Sequence, residues 1–253
     1  MIYTSTILYA LGKMRGHVDA VADFKHWANQ TDADWSAADG PPVIGHAAAR
    51  VFHRLRHLDD LDTRIDVGGT CLSKARCRAL HGALYSKADV WVSVDDDVEA
   101  DTECLESMLT VARATRGVCI APCLTRRFDR DMVNVFSLGP GEALHDVPSL
   151  RVLWGGFGLV AIHREAFELV ARNSDRWQDD DREWKPAAFL DILSQHGAWL
   201  DDDKAFFFRL PRSVRVSALL VGRTTHAGRE LNCGDIMTMD RFDTPGARST
   251  VPL

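Results

Sequence analysis

The sequence predicts an α/β protein with a Rossmann-like, mixed but mostly parallel central sheet flanked by helices. Three observations predict it. Strand-like and helix-like segments alternate from the start of the chain to about residue 124, the pattern of a parallel sheet with right-handed crossovers. The segment "DVWVSV" is short and almost continuously apolar, as a strand covered on both faces must be. That run leads straight into Asp95, Asp96 and Asp97, at the edge where open α/β sheets bind ligands.

The elements follow in order. "IYTSTILYA" reads as a first strand, and "HVDAVADFKHWANQ" carries Val18, Val21, Ala22 and Phe24 at helical spacing. "TDADWSAADGPP" is loop by composition. "AAARVFHRLRHL" is ambiguous, with helix the one reading offered, and "TRIDVGG" is a short strand stopped by Gly68 and Gly69. "TCLSKARCRALHGALYSKA" places Ala75, Ala79, Leu80, Ala83 and Leu84 on one helical stripe, with Thr70 or Ser73 as candidate caps. After the strand at 89–94, "ADTECLESMLTVARAT" is a helix with acids in its first turn, where the macrodipole favours them. "GVCIAPCL" is a strand again. Beyond it the pattern loosens: strands in "DMVNVFSL" and "SLRVLWGGFGLVAIH", a helix in "REAFELVARN", a polar loop in "SDRWQDDDREWKP". "DDKAFFFRL" is helical, "VRVSALL" a strand, "TTHAGRELNCGD" a loop, and the tail after Met239 carries little pattern.

Composition narrows the classes. A chain of 253 residues suits one large domain or two closely packed halves. We read a single domain over 1–253, with a nucleotide-binding half to about 99 and an acceptor-binding half from about 100. The charge of −6 argues against broad capture of nucleic acid. No apolar run approaches the roughly 18–20 residues of a membrane span, and the N-terminal segment lacks a basic leader region, so a cytosolic location is expected. Six cysteines without a CxxC pair point to reduced thiols rather than a zinc site.

Three aspartates at a strand end repel one another unless a cation neutralises them. A hard divalent ion with oxygen ligands, Mn²⁺ or Mg²⁺ shared with a diphosphate, fits that need. A calcium loop is a rival, since Asp95, Asp97, Glu99, Asp101 and Glu106 occupy EF-hand spacings. Ala100 stands where that loop needs glycine, and the run follows a strand instead of a helix.

With these residues in hand, four segments in order resemble the nucleotide-sugar-dependent glycosyltransferases of the GT-A fold. "SKARCRAL…VSVDDDVEADTE" is similar to that family's arginine-bearing helix and DxD strand end. "LWGGFGLVAIHREAFE", "WLDDDKAFFFRL" and "VGRTTHAG" resemble its Gly-rich strand, its acidic helix start and its late histidine. The resemblance implies that Asp95, Asp97 and His226 bind the metal, and that Asp95 or Asp96 faces the donor ribose. It implies Arg76 near the nucleotide or its phosphates, Gly155 and Gly156 close to sugar or acceptor, and Trp154 as an apolar wall. It implies Asp203, beside Asp202, as the general base for an acceptor hydroxyl, giving inversion. The donor would be a UDP-sugar. The acceptor stays open among a glycan, a lipid-linked sugar, a protein and a modified DNA base.

Cys77 stands where the family often has asparagine, and "DD" replaces its usual "ED". Two other readings remain: a sugar nucleotidyltransferase, for which "ALGKMRG" loosely imitates a phosphate loop, and a non-catalytic sugar- or calcium-binding module. A further acidic run, Asp179 to Asp181, reads as a solvated face or part of a mobile lid.

Overall fold

A computed structural model describes residues 1–8, 46–67, 71–125, 133–144, 146–193 and 199–237, with Ala22, Phe24, Lys25, His26 and Asn29. The loop imitation at 10–16 and the tail lie outside these residues.

The first half alternates as expected: β1 (Ile2–Leu8), α1 (His46–Leu58), β2 (Leu61–Val67), α2 (Leu72–Tyr85), β3 (Val90–Asp95), β4 (Val98–Ala100), α3 (Thr102–Thr115) and β5 (Val118–Ile120). There follow β6 (Val135–Leu144), β7 (Val147–Gly155), β8 (Leu159–His163), α4 (Arg164–Arg172), β9 (Arg176–Gln178) and β10 (Trp184–Pro186). The described chain closes with β11 (Ile192–Leu193), β12 (Trp199–Leu200), α5 (Asp202–Arg209), β13 (Val216–Leu219), β14 (Arg223–His226), β15 (Arg229–Asn232) and a 3₁₀ turn over Cys233–Met237.

Eight strands form the central sheet in the order β2-β1-β3-β8-β5-β13-β7-β6. Only β8 and β7 run against the others. The sheet is therefore mixed, with most strands in one direction. Because β1 lies between β2 and β3, the chain reverses its direction of travel there, and the crevice beyond the carboxyl ends of β1 and β3 is the expected ligand position. Asp95 ends β3 at that edge of the sheet, in register with Ile7.

Strand β3 shows why the sheet is buried on both faces. Side chains alternate along a strand, so Val90, Val92 and Val94 join α1 and α3 in one core layer. Trp91 points the other way, among Phe157, Phe167 and Phe189 beside α2, α4 and α5. Its indole N–H donates to Ser5 Oγ at 2.8 Å, so the ring is buried without an unpaired polar atom. Truncating such a ring costs about 3–5 kcal/mol.

The ambiguous segment takes its helical reading as α1, with Ala48, Ala49, Phe52 and Leu55 facing the core. Other expectations need correction. Cys71, not Thr70 or Ser73, is the N-cap of α2, and it makes no side-chain capping bond. Glu99 lies in β4, and Asp101 caps α3 by accepting from Cys104 N at 2.8 Å. The two segments read as loops contain hairpins, β9–β10 and β14–β15. Both are short, and their polar composition hid the pairing.

Candidate functional site

Two late segments return to the end of β3. The first is the β14–β15 hairpin. Gly222 leads into it with φ +78°, and a Cβ there would sit 2.6 Å from Cys104 N, so only glycine passes over the start of α3. Asp101 N donates to Arg223 O at 3.0 Å, and β14 then pairs antiparallel with β4, setting His226 opposite Val98. The two-residue turn Ala227–Gly228 has positive φ at both positions, as a tight hairpin of this twist requires. Ala227 N donates to Asp97 O at 3.1 Å. The expected loop histidine is thus held on a strand beside the acidic run.

His226 Nε2 lies 3.4 Å from Asp97 Oδ2, and its Nδ1 is 2.5 Å from the Leu124 carbonyl. A carbonyl only accepts, so Nδ1 carries the proton. Nε2 then faces the Asp97 carboxylate: protonated, it pairs with that anion, and neutral, it presents the lone pair of a metal-ligating histidine with a carbonyl behind it. Thr224 Oγ1 and Arg229 Nη1 tie the same hairpin to the carbonyls of Pro122 and Thr125 at 2.6 and 3.2 Å.

The second segment is α5. Asp201 caps it by accepting from Lys204 N at 3.3 Å, and Asp202 and Asp203 occupy its first turn. Arg76, on α2, lies beneath them with a side chain only 3% exposed. Its Nη1 donates to Asp202 Oδ2 at 2.6 Å and to Asp203 Oδ1, and its Nη2 to Asp95 Oδ1 at 3.2 Å. The guanidinium also lies 5.4 Å from the centre of the Phe157 ring. The second oxygen of Asp203 accepts from Phe157 N at 3.2 Å. Burial raises the Asp203 carboxyl to about 7; Arg76 opposes that rise, and the like charges of Asp202 and Asp95 add to it. Asp95 is raised too, first by burial.

The fold therefore brings together Arg76, Asp95, Asp202 and Asp203 in one cluster, with Asp97 and His226 as a pair next to it. Asp96 is buried in the turn between β3 and β4. Trp154, at the end of β7, is half-buried, with Lys204 Nζ 5.1 Å from its ring centre. Gly155 and Gly156 make a close backbone approach, but to Asn134: Gly156 N donates to Asn134 O at 2.8 Å, and a Cβ on Gly155 would lie 2.9 Å from that oxygen. The fork of Arg76, expected near phosphates, faces three carboxylates. Main-chain groups with no sequence signature complete the site: the Phe157 N–H and the Leu124 carbonyl.

The donor chemistry suits a divalent cation only in part. Among the described residues, no three His, Cys, Asp or Glu side chains form a group that could hold a metal by themselves. Asp97 and His226 supply one carboxylate and one imidazole, a pair suited to Mn²⁺ if the substrate and water give the remaining ligands. Asp95 is drawn towards Arg76. A calcium loop does not fit. Glu99 is taken by Arg50 and Arg54 at 3.1 and 2.9 Å, Asp101 serves as a helix cap, and a strand precedes the turn.

No family model and no curated protein matches the chain. Solved structures overlay over most of its length. The crystal structure of A197 from STIV is 16% identical, with TM-score 0.49, covering 89% of this chain and 85% of that one. GalNAc-T7 with UDP, GalNAc and Mn²⁺ is 9% identical, with TM-score 0.46, over 89% of this chain and 43% of that chain. UDP-glucose pyrophosphorylase complexed with UDP-glucose is 10% identical, with TM-score 0.41, over 92% and 94%. Likenesses this distant assign no activity, so function has to be read from the site. Among the described residues no helix is long and apolar enough to cross a membrane.

Proposed function

We propose that the chain transfers a sugar from a nucleotide-diphosphate sugar, a UDP-sugar, to a hydroxyl acceptor, with inversion. One observation carries the reading: the fold sets the Asp203 carboxyl, at the start of α5, beside Asp95 at the carboxyl end of β3, both bound to Arg76, and burial raises its proton affinity there. A general base works best when its pKa lies near the operating pH. Asp203 would take the proton from the acceptor hydroxyl as that oxygen attacks the anomeric carbon and the nucleoside diphosphate leaves. Asp97 and His226 would hold Mn²⁺ or Mg²⁺, which when bound neutralises charge building on the diphosphate. Asp202 shares Arg76 with the base and adds negative charge beside it. Trp154 would offer an apolar face to a sugar ring, and Asp96 would support the donor side of the turn. The domain would be a single catalytic unit, with the donor half ending near β4.

A screen of UDP-, GDP- and dTDP-sugars with Mn²⁺ tests the proposal. Release of free nucleoside diphosphate with a glycosylated product supports it. Pyrophosphate release assigns the chain to nucleotidyl transfer instead, and stabilisation by Ca²⁺ alone, without a nucleotide effect, marks a binding module.

A further inference from the structure

We infer that Arg76 is a positioning residue for the acceptor-activating carboxylate and not a ligand of the donor. The inference rests on the sugar-transfer reading for the role of Asp203. The arrangement itself is independent of that reading.

Three facts lead to it. First, both terminal nitrogens of the guanidinium are engaged by carboxylates from two elements, Asp95 at the end of β3 and Asp202 and Asp203 at the start of α5. Second, the side chain is almost wholly enclosed and lies against the Phe157 ring; Nε has no hydrogen-bond partner but is itself buried, so the guanidinium presents no exposed edge to a phosphate. Third, the residues it joins are more than a hundred positions apart in sequence. The other bond given to the first turn of α5 by its neighbours, from Phe157 N to Asp203, runs to the segment between β7 and β8 and not to the end of β3.

One cation among three carboxylates leaves net negative charge in a partly desolvated place. Removing it leaves three like charges, and α5 would swing its first turn towards water. A lysine keeps the charge but cannot fork between Asp95 and the α5 pair. Near-attack geometry is unforgiving: a shift of about 1 Å can cost about 100-fold in rate.

The test uses the full chain with Arg76→Lys and Arg76→Gln. Kinetics with saturating acceptor should show kcat falling about 100-fold in the glutamine variant and less in the lysine variant. The KM for donor and the Kd for Mn²⁺–UDP should stay within about twofold of the unmodified chain, the signature of an interaction lost in the transition state. A tenfold weaker Kd with kcat preserved would make Arg76 a donor ligand and overturn the inference. Thermal melts of R76K, D203N and the double variant, without substrate, check the clasp directly. Non-additive shifts support it, and additive shifts overturn it whatever the activity. Coupling in the melts upholds the clasp even in a chain that turns over no donor; what then fails is the sugar-transfer reading.

Discussion

Arg76 and Arg78, two positions apart on α2, hold acidic runs of the same tripeptide, and the clusters are electrostatic opposites. Arg78 clasps Asp179 with two bonds, of 2.6 and 2.8 Å, and Lys185 Nζ adds a contact at 3.2 Å. Two cations thus serve one carboxylate that is 2% exposed, and the Arg78 hydrogen bonds hold it well below the usual carboxylate range. Lys185 is equally buried and also pairs with Asp181 and Glu183. At Arg76 the ratio is reversed, with one cation for three carboxylates, and the Asp203 carboxyl rises. In the first cluster the one buried carboxylate is matched by two cations, while its other acids, Asp180, Asp181 and Glu183, are solvent-exposed, and it pins the β9–β10 hairpin to α2. The second has one cation for three carboxylates, and burial together with those like charges raises its Asp203 carboxyl, the setting in which a bound cation is favoured. The run at 179–181 is therefore neither a solvated face nor a lid at its first residue.

The largest expected effect separates the two clusters by activity. Asp203→Asn should lower kcat by about 10²–10⁴, the usual contribution of a general base. Nucleotide binding should persist, because the change is nearly isosteric. A transfer assay beside a UDP titration reads both, and turnover at the unmodified rate removes Asp203 from the mechanism. Asp179→Asn should do the reverse. It removes the buried anion that Arg78 and Lys185 share, although Lys185 keeps Asp181 and Glu183, a loss of about 1–3 kcal/mol, or about 5 °C in melting temperature for a chain of this size. At a temperature where that variant is folded, its kcat should match the unmodified chain. A drop in kcat without a melting shift would place the hairpin cluster in the site after all.

A smaller effect tests the pair beside the unbalanced cluster. His226→Ala should weaken Mn²⁺ dependence by at least about tenfold, since even residues that only support a metal ligand cost 10–100-fold. Activity against metal concentration measures this. An unchanged curve would leave His226 as a structural residue held by Leu124.

How legible was this from sequence? The alternation that built β1 to β5 depends on local periodicity and is present in the chain of letters. So is the acidic end of β3, because a buried strand running into three aspartates is a one-dimensional pattern. The difference between Asp95–Asp97, Asp179–Asp181 and Asp201–Asp203 is not. Each is the same tripeptide, and what separates them is which cation the fold delivers: Lys185 six positions on from Asp179, or Arg76 more than a hundred positions from Asp203. The glycines at 155 and 156 signal close backbone approach, but sequence cannot say that the neighbour is Asn134. The short hairpins escaped because two to four residues of strand leave too little periodicity to read.

The smallest expected effect follows from the sign of the two carboxyl shifts. Asp203 has an ordinary value of 3.8 and rises to about 7 in the folded chain. The folded state thus holds its proton more tightly than the unfolded state does. Stability from this residue is full below about 4 and is lost as pH rises through about 7. An asparagine does not titrate, so D203N should gain on the unmodified chain between pH 5 and pH 8. Its carboxyl is a quarter exposed and shares charge with its neighbours, so the gain is set at about 1 kcal/mol, or about 2 °C. Asp179 is shifted down, so its contribution is complete above about 4 and fades only below that. The difference between D179N and the unmodified chain should then be flat over the same interval. Melting curves at pH 5, 6.5 and 8 compare the two directly. A D203N difference that stays flat or shrinks with rising pH would mean that Arg76 fully balances its three carboxylates. The contrast between the two arginines would then be one of geometry alone.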